Sequence, residues 1–270
     1  MKQIQRSTQT STPPSLLGLK PSWLQTLRSF FWVWLTFILS LYVSWMLLAK
    51  ADFLYPLWYE VANMEEHIEH YAPQNRFRPS FEQTDTATRL ELFAGIVEAI
   101  HHHGEGLNRL SYSIPNRPAP IPLLHRQEIE HLTDVANLLD FMKRTGWFLL
   151  LFWSLLTTYL LMSKSPFPTP RQAVWNLGAG LTLLAAVLAL FGPKAVFYQL
   201  HVWIFPAEHR WFFYYQDSLM STMMKAPDLF AYIAAALLAA GLFIFMLLLK
   251  LFHTKIPSAK PHSSMTHTPN

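Results

Sequence analysis

Four long apolar runs, 29–49, 145–162, 173–191 and 229–249, interrupt an otherwise polar chain of 270 residues. At about 1.5 Å per helical residue each run reaches across most of a roughly 30 Å hydrocarbon core. The pattern therefore predicts four transmembrane helices. Between and around them lie a tail at 1–28, a long segment at 50–144, a link at 163–172, a second segment at 192–228 and a tail at 250–270. The first run is too long for a signal-peptide core and no small-residue cleavage pattern follows it, which marks a retained anchor. Pro166, Pro168 and Pro170 make the link a tight hairpin, so the second and third spans are expected to be antiparallel neighbours. The Ser-, Thr- and Pro-rich stretches 1–20 and 253–270 bury little apolar surface and are expected to be disordered.

Within 50–144 the apolar positions recur at threes and fours. Leu90, Phe93, Val97 and Ile100 line one helix face behind a polar start at Thr84 and Asp85, and Gly104 and Gly106 end that helix. Pro115, Pro118, Pro120 and Pro122 then exclude helix and central strand. Another helix starts near Arg126, with Ile129, Leu132, Ala136 and Leu139 on one face and Glu128, His131, Asp134 and Val135 on another. Segment 192–228 opens on Gly192 and Pro193 and is crowded with rings, among them Trp203, Phe205, Trp211 and Phe213, as suits a headgroup layer that meets acyl chains on one side and water on the other. The expected fold is an all-α integral membrane protein: four transmembrane helices, a mostly helical extracytoplasmic domain between the first and second, and an aromatic outer loop between the third and fourth.

Charge gives this layout a direction. All seventeen Asp and Glu residues lie in the segments 50–144 and 192–228, where they outnumber twelve Lys and Arg, while the other polar segments carry nine basic residues and no acid. The positive-inside tendency then puts both termini in the cytoplasm and any chemistry on the outer side. The formal charge of +4 mostly reflects this bias and gives no reason to expect a nucleic-acid partner. Cysteine is absent, which removes disulfides, thiolate metal sites and a cysteine acyl-enzyme. G-x-S-x-G, H-E-x-x-H and a histidine followed five residues later by aspartate are absent too, against serine hydrolases, zincins and ordinary glycerolipid acyltransferases.

Nine of the twelve histidines are on the outer side. His131 lies within reach of Glu128 and Asp134 on one helix, and a carboxylate partner would support an imidazolium in general acid–base work. His201 sits in the aromatic segment. Two such rings near a membrane can move a proton between an attacking and a leaving group, although burial as hydrogen-bonded core histidines is the alternative. The run His101 to His103, and His67 with His70 beside Glu65, Glu66 and Glu69, raise a metal-binding reading, but the spacing of a closed metal site is missing.

The stretches EIEHLTDVANL at 128–138 and LHVWIFPAEHRWFFYYQDSL at 200–219 resemble the bacterial lipoprotein intramolecular transacylase family, in a pattern of Glu128, His131, Asp134 and Val135 followed by His201, Trp211-x-Phe213 and Asp217. The resemblance implies a four-span protein of the bacterial cytoplasmic membrane that needs no cofactor and no metal. It also implies transfer of the sn-2 acyl chain of a diacylglyceryl lipoprotein to that lipoprotein's N-terminal amine. By the same resemblance His131 and His201 are catalytic, Glu128, Asp134 and Asp217 support or orient them, and Trp203, Phe205, Trp211 and Phe213 form a lipid-facing loop. The competing readings are a non-enzymatic membrane protein whose outer domain holds a partner, and a histidine-rich metal binder. A straight helix from Arg126 into the second span would lift His131 roughly 20 Å above the bilayer, so the resemblance also demands a bend, for instance at Gly146, or a helix lying on the surface.

Overall fold

In the computed structural model, residues 22–115, 117–163 and 165–254 are described; the expected disorder of 1–20 and of the far C-terminal tail lies outside them. Helix α1 (Ser22–Ala49) leads into α2 (Tyr55–Val61), α3 (Met64–Tyr71) and α4 (Thr86–His101). A two-residue antiparallel pair, β1 (Ser111–Tyr112) with β2 (Ile121–Pro122), precedes α5 (Arg126–Met162). Then come α6 (Pro170–Phe191), α7 (Pro193–Ile204), the single turn α8 (Leu219–Met223) and α9 (Asp228–Thr254). Pro122 is tolerated in β2 because a two-stranded ribbon is all edge. Four helices, α1, α5, α6 and α9, are long and apolar enough to cross a membrane.

α1 is the hub of the bundle, with α9, α5 and α6 all packed on it. α5 and α6 share a core that is built around α1, where Trp32, Leu160, Phe167, Ala173 and Leu177 bury together. With no water to serve polar groups there, indoles and hydroxyls pair between helices. Trp32 donates from Nε1 to Thr157 Oγ1 at 3.0 Å, and Trp153 donates to Thr36 Oγ1 at 2.7 Å. Gly180 lets α6 approach, since a Cβ there would lie 2.4 Å from the Trp34 ring.

Gly146 is no hinge. α5 is one helix over all 37 residues, and a Cβ at 146 would press on the Tyr42 ring at 3.0 Å, so that glycine is a packing contact with α1. From it His131 stands fifteen residues up the helix, about 22 Å at 1.5 Å per residue. The short helices of segment 50–144 and the turn α8 pack beside that end of α5. α2, α3, α4 and α8 enclose a second core in which Tyr55 stacks on Phe93 at 3.9 Å and donates its hydroxyl to the Met223 carbonyl at 2.7 Å. Arg89 is buried there and fully engaged, donating to the Tyr59 hydroxyl at 2.8 Å, Thr84 Oγ1 at 3.1 Å and the Glu82 carbonyl at 3.0 Å. Such engagement is what makes a buried guanidinium tolerable.

Candidate active site

The N-terminus of α5 fixes the height and rotation of the first motif. His125 is its N-cap, its Nδ1 accepting from the Glu128 N–H at 3.4 Å, while the Glu128 carboxylate accepts from the His125 N–H at 2.8 Å. This reciprocal capping satisfies two of the helix's orphan donors. Glu128 is 1% exposed, and burial pushes its carboxyl up from the usual range against the pull of its hydrogen bonds. Its other oxygen accepts a short hydrogen bond from Ser218 Oγ, and Ser218 in turn caps α8 by accepting from the Ser221 N–H at 2.9 Å. Glu128 therefore bolts α8 to α5. It makes no hydrogen bond to His131.

Three residues on, His131 faces a cavity of about 390 Å³. Its ring centroid lies 6.5 Å from that of His201, which α7 delivers from the far side of the sequence. α7 climbs beyond α6 after the break at Gly192, whose φ of +79° suits glycine. The two histidines that the motifs single out thus converge on one cavity. His201 donates from Nδ1 to the Phe197 carbonyl at 2.8 Å, because a carbonyl can only accept. The neutral ring then keeps its lone pair on Nε2. Burial, opposed by that hydrogen bond, lowers its pKa. Burial lowers His131 as well, to about 4, helped by the nearby His201 and opposed by Asp134. His131 Nδ1 is buried without a hydrogen-bond partner among the described residues.

Asp134 acts on His131 through space only. Its carboxylate accepts from His209 Nδ1 at 2.6 Å, a contact that raises the His209 pKa and ties the loop 205–218 to α5. Asp217 holds the loop's other end through ion pairs with Arg76 and, at 3.6 Å, Arg210. The loop lays its rings on the histidines: Phe205 5.0 Å from His131 and 5.2 Å from His201, Trp211 4.8 Å from His201, and buried Phe213 6.2 Å from His131. Trp203 points away and is 73% exposed, beside exposed Leu200, Val202 and Ile204. The three histidines of the run 101–103 turn to different partners. His101 meets Trp45, His102 meets its own helix at the Glu98 carbonyl, and His103 pairs with Asp140. Among the described residues no group of three His, Cys, Asp or Glu is placed to hold a metal ion.

A family model for lipoprotein intramolecular transacylase Lit matches residues 29–230, from the first span to the start of α9 and through every residue of this site. The chain belongs to that family. The Lit family places it among transferases of lipoprotein modification, and its four long apolar helices fit a multi-pass membrane protein. No curated protein and no solved structure gives a significant match to it. Against the Lit motifs, sequence reasoning missed His209, Ser218 and Ser221, although His209 and Ser218 lie inside the second motif stretch. It also missed Trp45, which no spacing rule connects to a histidine 56 residues away.

Proposed function

We propose that this protein moves the sn-2 acyl chain of a diacylglyceryl lipoprotein onto the free amine of the same lipoprotein, at the outer face of the bacterial cytoplasmic membrane, with His131 and His201 as the proton-transfer pair. The observation that carries this is the meeting of two neutral, half-buried to buried imidazoles at one apolar cavity. The amine nitrogen attacks the ester carbonyl, a C–N bond forms, the bond from carbonyl carbon to glyceryl oxygen breaks, and one proton passes from nitrogen to that oxygen. His201, with Nε2 unprotonated, suits the base. The same proton returned to the alkoxide completes a net-neutral exchange that needs neither water nor an external co-reactant. The rings of Phe205, Trp211 and Phe213 keep the centre dry, which protects the acyl group from hydrolysis.

The height of His131 is no obstacle on this reading, since the cavity carries an apolar surface up to it. The acyl tail lies along Ile96, Val97, Leu132 and Ile233 while the ester stays with the histidines. The test uses a synthetic diacylglyceryl lipopeptide with the purified protein in vesicles. Product mass stays unchanged while fragmentation shows an amide-linked chain at the N-terminus. His131→Ala and His201→Ala should each slow the transfer about 10²- to 10⁴-fold, and undiminished transfer by either variant overturns its assigned role.

A further inference from the structure

The His101 to His103 run has no part in the proton transfer, yet its first member stands behind a residue of the cavity wall. Trp45 on α1 lines the cavity and donates its indole N–H to His101 Nε2 at 3.1 Å. His101 donates from Nδ1 to the Val97 carbonyl at 2.7 Å, which leaves Nε2 as the acceptor Trp45 needs. The His101 carbonyl accepts from Lys143 Nζ at 2.7 Å, and Lys143 also reaches Asp140 at 3.3 Å. The indole is packed edge-on against Phe53 at 4.8 Å. Helices α1, α4 and α5 thus hold one side chain in one orientation, with its polar edge turned away from the cavity and its apolar face toward it.

The position of that side chain is also telling. Leu41 meets Gly241 and Phe37 meets Phe245 across the α1–α9 contact, so Trp45 stands level with Leu237, another cavity residue. Tyr42 meets Gly146, which puts Trp45 about 18 Å below His131 along the bundle at 1.5 Å per residue. Behind Trp45 lies a second void of about 10 Å³, bounded by Tyr42, Met46, His101 and Leu139. Trp45 is the partition between the two.

We propose that Trp45, held by His101, is the closed end of an acyl-chain channel and sets the longest fatty chain the protein accepts. The proposal rests on the acyl-transfer reading for its substrate class, the fatty chain of a diacylglyceryl group. A rigid floor limits length because each methylene beyond it must displace a locked side chain from a close-packed wall. A shorter side chain at 45 joins the channel to the void behind it, and a larger one at 237 raises the floor.

The experiment measures transfer on lipopeptides of graded acyl length and, separately, binding of diacylglycerols of the same lengths by native mass spectrometry. For Trp45→Leu, the ratio of long-chain to short-chain turnover and binding should rise by about tenfold or more, the scale on which an apolar pocket discriminates a methylene. Leu237→Phe should move the same ratio the other way. His101→Leu, which frees the indole, should broaden the length profile with a smaller shift. Ratios within one variant are insensitive to partial misfolding. Unchanged ratios in Trp45→Leu and Leu237→Phe overturn the proposal, whereas length-dependent binding without any transfer overturns the transacylase reading and leaves the channel floor standing.

Discussion

At the scale of single residues, burial sets the protonation states of the two cavity histidines. With His131 held at about 4 against an ordinary histidine value near 6.5, the folded ring stays neutral through a window in which the unfolded chain takes up a proton. Stability therefore falls as pH drops from about 6.5 toward 4 and is unaffected by this group above that window. Activity should show the same shift. A substrate α-amine titrates near 8, so log kcat/KM should fall with slope one below that value and keep slope one as the pH passes below 6.5, because burial lowers both histidines. A second unit of slope setting in near 6.5 would mean an unshifted histidine and would contradict the buried pair. Glu128 makes a different case, since its removal strands Ser218 and the His125 N–H. Glu128→Ala should lower unfolding stability by about 3 kcal/mol, the range for breaking a buried polar partnership, measured by thermal unfolding in detergent. These details were not legible from spacing. Glu128 and His131 share a helix face at three residues' separation, yet the acid turns to α8, because Ser218, 90 residues away, offers it a donor.

At the scale of elements, close approach of helices matters more than helix propensity. Gly178 and Gly180 both lie in α6, but only Gly180 meets another helix. Gly180→Ala gains about 1 kcal/mol of helix propensity and pays about 1–3 kcal/mol in overpacking against Trp34, so it should lower the unfolding temperature. Gly178→Ala, with nothing within 4 Å, should leave it unchanged or raise it slightly. A reversed order would show that α6 does not pack on α1 at that point. Beyond Leu177 neither α6 nor α7 buries a residue. That arm reaches His131 mainly through the rings it carries, and the loop clasped by Asp134, Arg76 and Arg210 holds them there. The apolar periodicity shows α4 and the start of α5 in the sequence because each has one buried stripe. α7 shows none, being a ring-bearing wall with two unlike exposed sides.

At the scale of the whole molecule, the charge partition predicts an orientation that can be read directly. Because the chain has no cysteine, Asn108→Cys should react with a membrane-impermeant thiol reagent added outside intact cells, and Ser163→Cys should react only after lysis. Labelling of Ser163→Cys alone from outside would reverse the assigned topology, and labelling of both from outside would abolish it. The sequence alone determined the four apolar helices, the helical character of 50–144 and the acid-rich segments, and it singled out the two motif histidines, since each depends on local composition or on spacing within one element. Only the tertiary structure decided that α5 runs unbroken, that His131 and His201 meet, that Glu128 and Asp134 serve Ser218 and His209, and that Trp45 lines the cavity with its indole N–H on His101. Those are contacts between helices far apart in the chain, and packing of whole surfaces, rather than any local pattern, sets their register.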